Sequence, residues 1–258
     1  MFDRRNDRSS SEKYYVLLSS PLIDGTDFRD LVGKPVSIGL SKETSDGVLL
    51  SQYYLFEKIS VDDHFVVVVD PIDNFTIKKN PDTHYVTSGQ VTVLEVLDLF
   101  EQLTWDKMWE YGIDMFVYRH NILYYLAANG LYVQLAWYVD KAKLILKDQF
   151  DKNFFAKTIL KAAILYNNLD IIQFVTLELE PDLCRYGMDE ELIMVMSKVA
   201  AKDGVEPDYC YHMVKLLISK GFYKDLSLLT IILKMHILLM ENSGHLKTAD
   251  LLKEVCGS

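Results

Sequence analysis

The stretch Thr158–Val175, TILKAAILYNNLDIIQFV, decides the fold class of most of this chain. Read as two short helices, it places Ile159, Leu160, Ala162, Ala163 and Leu165 on one apolar face. A polar turn follows at Tyr166-Asn167-Asn168, and Leu169, Ile171, Ile172, Phe174 and Val175 form a second face. Ala162 and Ala163 are small enough to let one helix lie close against its neighbours, so such pairs can stack. Asparagine tolerates the left-handed backbone that a helix end requires, which suits positions 167 and 168 to closing the first helix. The stretch is one unit of a stacked helical repeat.

Partial copies flank it. Asn121–Tyr138 (NILYYLAANGLYVQLAWY) places Leu123, Ala127 and Gly130 at corresponding positions. Ala200-Ala201-Lys202-Asp203-Gly204 followed by Val214–Gly221 makes another copy, and Ser243-Gly244-His245-Leu246 with Leu251-Leu252 a further one. Met108–Asp114 resembles the end of one more. From Asn121 to Thr158 is 37 positions, and from Thr158 to Met235 is 77, about two such periods. On these residues the chain resembles the ankyrin repeat, whose pattern T-P-L-H-x-A-A-x-x-G-H-L-E-V-V-K-L-L aligns with Thr158–Val175 without a gap; Thr158 and Leu160 match it, and Leu169-Asp170-Ile171-Ile172 replaces L-E-V-V. An ankyrin unit is roughly 33 residues, so each unit here is somewhat long. The resemblance covers residues 89–258 and implies four to five units.

Residues 13–88 read differently. Tyr14–Leu18, Pro35–Leu40, Leu49–Ile59, His64–Asp70, Phe75–Lys79 and His84–Thr87 are short and rich in Val, Ile, Tyr and Phe, and the turn formers Asp24-Gly25, Asp46-Gly47, Asp70-Pro71 and Asn80-Pro81 separate them. Phe65–Val69 is continuously apolar, as expected of a strand buried on both faces. Leu49–Ile59 fits either a strand or a helix, and Thr76, Lys78 and Lys79 mark an edge strand. From Val91 the period changes: Val93, Leu94, Val96, Leu97 and Phe100 suit an amphipathic helix, with Trp105, Met108 and Trp109 on the next. The expected architecture is a disordered tip (1–12), a β-rich α+β domain (13–88) and an all-α ankyrin-like repeat solenoid (89–258). An α+β module with this order of features resembles the domain ahead of ankyrin repeats in proteins of giant DNA viruses. The residues that carry the likeness are Ile38-Gly39-Leu40, Lys58–Val61, Phe65–Asp70 and His84–Ser88.

Composition bounds the function class. Half of the 258 residues are apolar, enough for a sizeable core. No uninterrupted apolar run approaches the roughly 20 residues a membrane helix needs; Leu226–Met240, the densest, is broken by Ser227, Thr230, Lys234 and His236. MFDRRNDRSSSE lacks the apolar core of a secretory signal. Three cysteines (Cys184, Cys210, Cys256) without close spacing point to a reducing compartment, so an intracellular, cytoplasmic protein with no membrane partner is expected. A formal charge of −10 argues against general binding of nucleic-acid phosphates.

Motifs that carry chemistry are missing from the sequence. His64, His84, His120, His212, His236 and His245 include no pair at the helical i, i+4 metal spacing. Asp62-Asp63 with Asp70 and Asp73 lacks the alternating ligands of a calcium loop and reads as strand-end turns. There is no nucleophile elbow, phosphate loop or dinucleotide fingerprint, and Cys210 beside His212 is poorly placed to share a proton on a helix. No cofactor and no enzymatic activity are expected. The resemblance implies a non-enzymatic protein–protein interaction module, and a host or viral protein as partner if the viral likeness holds. Alternatives are a small-ligand or catalytic site in residues 13–88 targeted by the repeats, and a ubiquitin-ligase substrate adaptor. The ankyrin layout places the binding surface on the first helices, at Tyr125, Lys161, Tyr166, Lys198 and Lys202. Loops in place of the β-hairpin fingers add Tyr118, Arg119, Lys152 and Asn153; these loops lack the finger sequence and are expected to be irregular.

Overall fold

The computed structural model describes residues 13–20, 22–23, 26–38, 50–51, 55–72, 89–166, 168–179, 195–196, 199, 207–219 and 230–257. The fold is mixed α+β. It divides into two compact units, Met1–Ile122 and Leu123–Ser258, with the boundary inside a helix.

The first unit holds a five-stranded antiparallel sheet. Its strands are β1 (Tyr14–Leu18), β4 (Pro35–Ile38), β5 (Leu50–Ser51), β6 (Phe65–Pro71) and β7 (Gly89–Asp98), in the order β4-β7-β6-β1-β5. A small ribbon pairs β2 (Leu22–Ile23) with β3 (Thr26–Asp27). β6 lies between β7 and β1, and Val66–Val69 are all buried, as the unbroken apolar run predicts. The expected strands at Phe75–Lys79 and His84–Thr87, and residues 49 and 52–54, lie outside the described residues; within Leu49–Ile59, Leu50–Ser51 is strand and Leu55–Glu57 a 3-10 turn, and the turn expected at Asp70-Pro71 is instead the end of β6.

The helix expected from Val93 to Phe100 is instead the body of β7, so the sheet runs on to Asp98, ten residues past the boundary expected at 88. Valine and threonine at 91, 92, 93 and 96 favour extended backbone, where branched side chains pack well. A bulge explains why the period deceived. Val68 pairs with Glu95 and Val69 with Val93, which leaves Leu94 as the extra residue. The bulge shifts parity by one, so Val91, Val93 and Val96 share one face with Val67, Val69, Tyr14 and Val16. Glu95 and Leu97 take the other face. There α1 (Gln102–Glu110) and the turn after it are anchored through Glu95, which pairs with Lys107 and accepts a 2.6 Å hydrogen bond from the Tyr111 hydroxyl. Trp105 is buried, stacks on Phe56 and donates from Nε1 to the Leu99 carbonyl at 2.8 Å.

The remaining helices are α2 (Arg119–Ala128), α3 (Tyr132–Leu146), α4 (Lys152–Leu165), α5 (Leu169–Phe174), α6 (Pro207–Ser219), α7 (Thr230–Asn242) and α8 (Leu246–Gly257), with a π turn over Val175–Leu179. Three tight turns join α2 to α3, α4 to α5 and α7 to α8, and their main-chain bonding recurs. Leu131 N–H donates to the Leu126 carbonyl (2.9 Å), Asn168 to Ala163 (2.8 Å) and His245 to Met240 (2.8 Å). In the first and third it is the long bond of a Schellman motif, and Gly130 (φ 68°) and Gly244 (φ 81°) supply the left-handed residue there. In each case the same residue then offers its carbonyl to the next helix, at Leu135, Ile172 and Ala249. α4 packs on α5 and α7 on α8, while α8 also packs on α6 and α3 on α5. Ala162 and Ala163 are fully buried, as a close helix contact requires.

Candidate functional site

A groove of about 360 Å³ opens in the second unit, lined by Gly130, Tyr132, Asp170, Gln173, Phe174, Leu177 and Glu178. Two local features build it. Gly130 ends α2 and turns the chain so that Tyr132 stands in the first turn of α3. On the opposite wall, Asp170, Gln173, Phe174, Leu177 and Glu178 follow the i, i+3, i+4, i+7, i+8 spacing of a helical face, which runs through α5 into the π turn. The complementary positions Ile171, Ile172, Val175 and Leu179 are buried in the core.

Asn168 ties the two walls together. Its Nδ2 donates 2.8 Å hydrogen bonds to the carbonyls of both Ala127 and Ala128 at the C-terminal end of α2, where Ala127 also accepts from the Gly130 N–H at 3.3 Å. Phe174, nearly buried, forms the apolar floor and meets Tyr132 edge-on with ring centroids 5.3 Å apart. Tyr132 is 46% exposed and Leu177 51% exposed, so both present apolar surface to solvent. Asp170, Gln173 and Glu178 form a polar rim. Among the described residues neither carboxylate makes an ion pair. The arrangement can bind and orient a ligand. It offers no nucleophile beside a base.

The residues expected to bind scatter. Tyr125 is 1% exposed, so it is core rather than surface. α2 is apolar nearly all round, and Ile122, Leu123, Tyr125, Leu126, Ala127 and Ala128 are all buried, which leaves no outward position where the ankyrin register puts one. Arg119 begins α2 and Lys152 and Asn153 open α4, rather than lying in finger loops. Asp151 caps α4 by accepting from the main-chain N–H groups of Asn153 and Phe154. Tyr118 does precede α2 in a loop, but its hydroxyl is 3.2 Å from Glu57 Oε2, so it serves the first unit's own packing. Lys161 is half-buried on α4. Tyr166 caps that helix, remains 43% exposed and meets Tyr124 edge-on at 6.1 Å. Burial, with the Tyr166 hydroxyl beside it, pushes the Tyr124 hydroxyl up to about 12. Lys198 and Lys202 lie outside the described residues.

The groove itself was not anticipated. Its walls are forty residues apart in sequence, and its best signal is the outward run Asp170, Gln173, Leu177, Glu178 opposite an apolar core face. Asp63 takes part in a strand-end turn, where its Oδ2 accepts from the Ser60 N–H at 2.6 Å. Among the described residues no cluster of three His, Cys, Asp or Glu side chains could hold a metal ion, and no helix is long and apolar enough to cross a membrane.

No protein-family model matches this chain, and no curated protein or solved structure matches it either.

Proposed function

We propose that this chain is a non-enzymatic protein-interaction module in which helix pairs of the second unit act as an ankyrin-like repeat scaffold. The single observation that supports it most is the recurrence of one helix–turn–helix bonding pattern at Gly130, Asn168 and Gly244. Stacked units of this kind bury their apolar faces against one another and leave an extended surface free for a partner. The exposed rings of Tyr132 and Tyr166, one in the groove and one at the end of α4, suit such a surface, since aromatic side chains give large contact area at low entropic cost. The likeness of the N-terminal segments to giant DNA virus proteins points to a host or viral protein as partner, and to action inside the host cell.

Affinity capture from source cells tests this, with wild type compared against Lys161→Glu combined with Tyr166→Ala. The expected result is a specific protein recovered by wild type and lost by the variant, with an unchanged melting curve. Recovery of no protein at all, or equal recovery by both, refutes the assignment of the surface to the second unit.

A further inference from the structure

We propose that the groove between Tyr132 and the α5–π segment receives an extended partner segment of the pattern basic–x–apolar–x–basic. This rests on the protein-binding role above and names the chemistry of the partner. The floor is apolar: Phe174 lies nearly buried beneath the Tyr132 ring edge, with Leu177 exposed beside it. An apolar side chain entering there removes surface of all three from water, a gain of the ordinary hydrophobic kind. The volume, about 360 Å³, accommodates a few side chains of a peptide and not a folded domain.

The rim supplies the charge rule. Asp170 and Glu178 stand at opposite ends of the same wall, exposed, and among the described residues neither has a cationic partner. Eight residues of helix separate them, a rise of about 12 Å. An extended chain advances about 3.3 Å per residue and points alternate side chains the same way. Two cations four residues apart therefore span about 13 Å on one face, with the residue midway between them directed into the groove. A single basic residue would leave one carboxylate unanswered, and an acidic segment would be repelled by both. The wall that carries Leu177 and Glu178 is a π turn, a helix irregularity found frequently at functional sites.

Fluorescence anisotropy at low salt tests this with the full chain and a labelled peptide Ser-Lys-Ser-Leu-Ser-Lys-Ser, against the same peptide with Glu for Lys and with Ser for Leu. The expected result is saturable binding of the first peptide alone. Asp170→Asn combined with Glu178→Gln should weaken it at least about tenfold, as expected for two lost charge contacts. Asp148→Asn combined with Glu254→Gln removes the same formal charge away from the groove and should change it less than about twofold. Equal losses from the two double variants would reduce the effect to general attraction of a cation to an acidic protein and overturn the proposal. So would equal binding of the three peptides, or none. If the peptide fails while capture still depends on Lys161 and Tyr166, the groove proposal falls and the scaffold role stands.

Discussion

Asn168 hydrogen-bonds to the main-chain carbonyl of Ala127 across 41 positions of sequence, at 2.8 Å, and to Ala128 equally closely. One carboxamide thereby closes the end of α2 and fixes the turn from which α5 starts. Removing it leaves two partly buried carbonyls without that donor. Asn168→Ala should destabilise the second unit by about 1–3 kcal/mol. Chemical denaturation followed by far-UV circular dichroism measures it, and an unchanged midpoint would mean water replaces the amide at no cost.

Gly130 faces that same amide. It adopts φ 68°, and a Cβ there would lie 3.1 Å from Asn168 Oδ1, whose carboxamide is held in place by the bonds that Nδ2 donates to Ala127 and Ala128. Gly244 is equally left-handed, at φ 81°, but has open space around it. Both alanine variants incur the left-handed backbone cost of about 1–2 kcal/mol. Gly130→Ala should lose more than Gly244→Ala because it also disturbs Asn168. Matched urea melts give the order, and the reverse order would contradict the role assigned to the amide.

His236 on α7 is 1% exposed, and burial pushes its pKa down to about 4. The unfolded chain takes up a proton near pH 6.5 that the folded chain refuses until about pH 4. The unfolded state therefore binds more protons in that window. Stability is complete above pH 6.5 and falls as pH drops toward 4, by up to about 3 kcal/mol. His236→Phe should flatten that part of the profile. A variant with the same slope between pH 4 and 6.5 would assign the loss to other groups.

Ala163 is fully buried where α4 packs on α5. Ala163→Leu should cost about 1–3 kcal/mol through overpacking. An unshifted denaturation midpoint would mean that the helices separate without loss.

What the sequence made legible was local and strongly signalled. Phe65–Val69 is apolar without interruption, and that alone places it mid-sheet. Gly130 and Gly244 end helices for reasons of backbone chirality that need no tertiary context. Two other features depended on contacts the sequence does not display. Val93–Leu97 satisfies a helical apolar period because a bulge at Leu94 shifts strand parity there. Tyr125 occupies an outward position of the ankyrin pattern, but α2 is enclosed along most of its length, so a ring placed there is packed rather than presented. The groove needs Gly130 and Asn168 to bring α3 and α5 together, and no short window of sequence contains both.

The measurement that bears most directly on the interaction role is site-specific photo-cross-linking in source cells. A benzophenone side chain would be placed in turn at Tyr166 and Leu177 of the second unit, and at Leu103 and Val117 of the first, all of them exposed. An interaction surface on the second unit predicts one and the same protein adduct from positions 166 and 177, and none from 103 or 117. An adduct formed only from 103 or 117 would make the first unit the reader and contradict a binding role for the second.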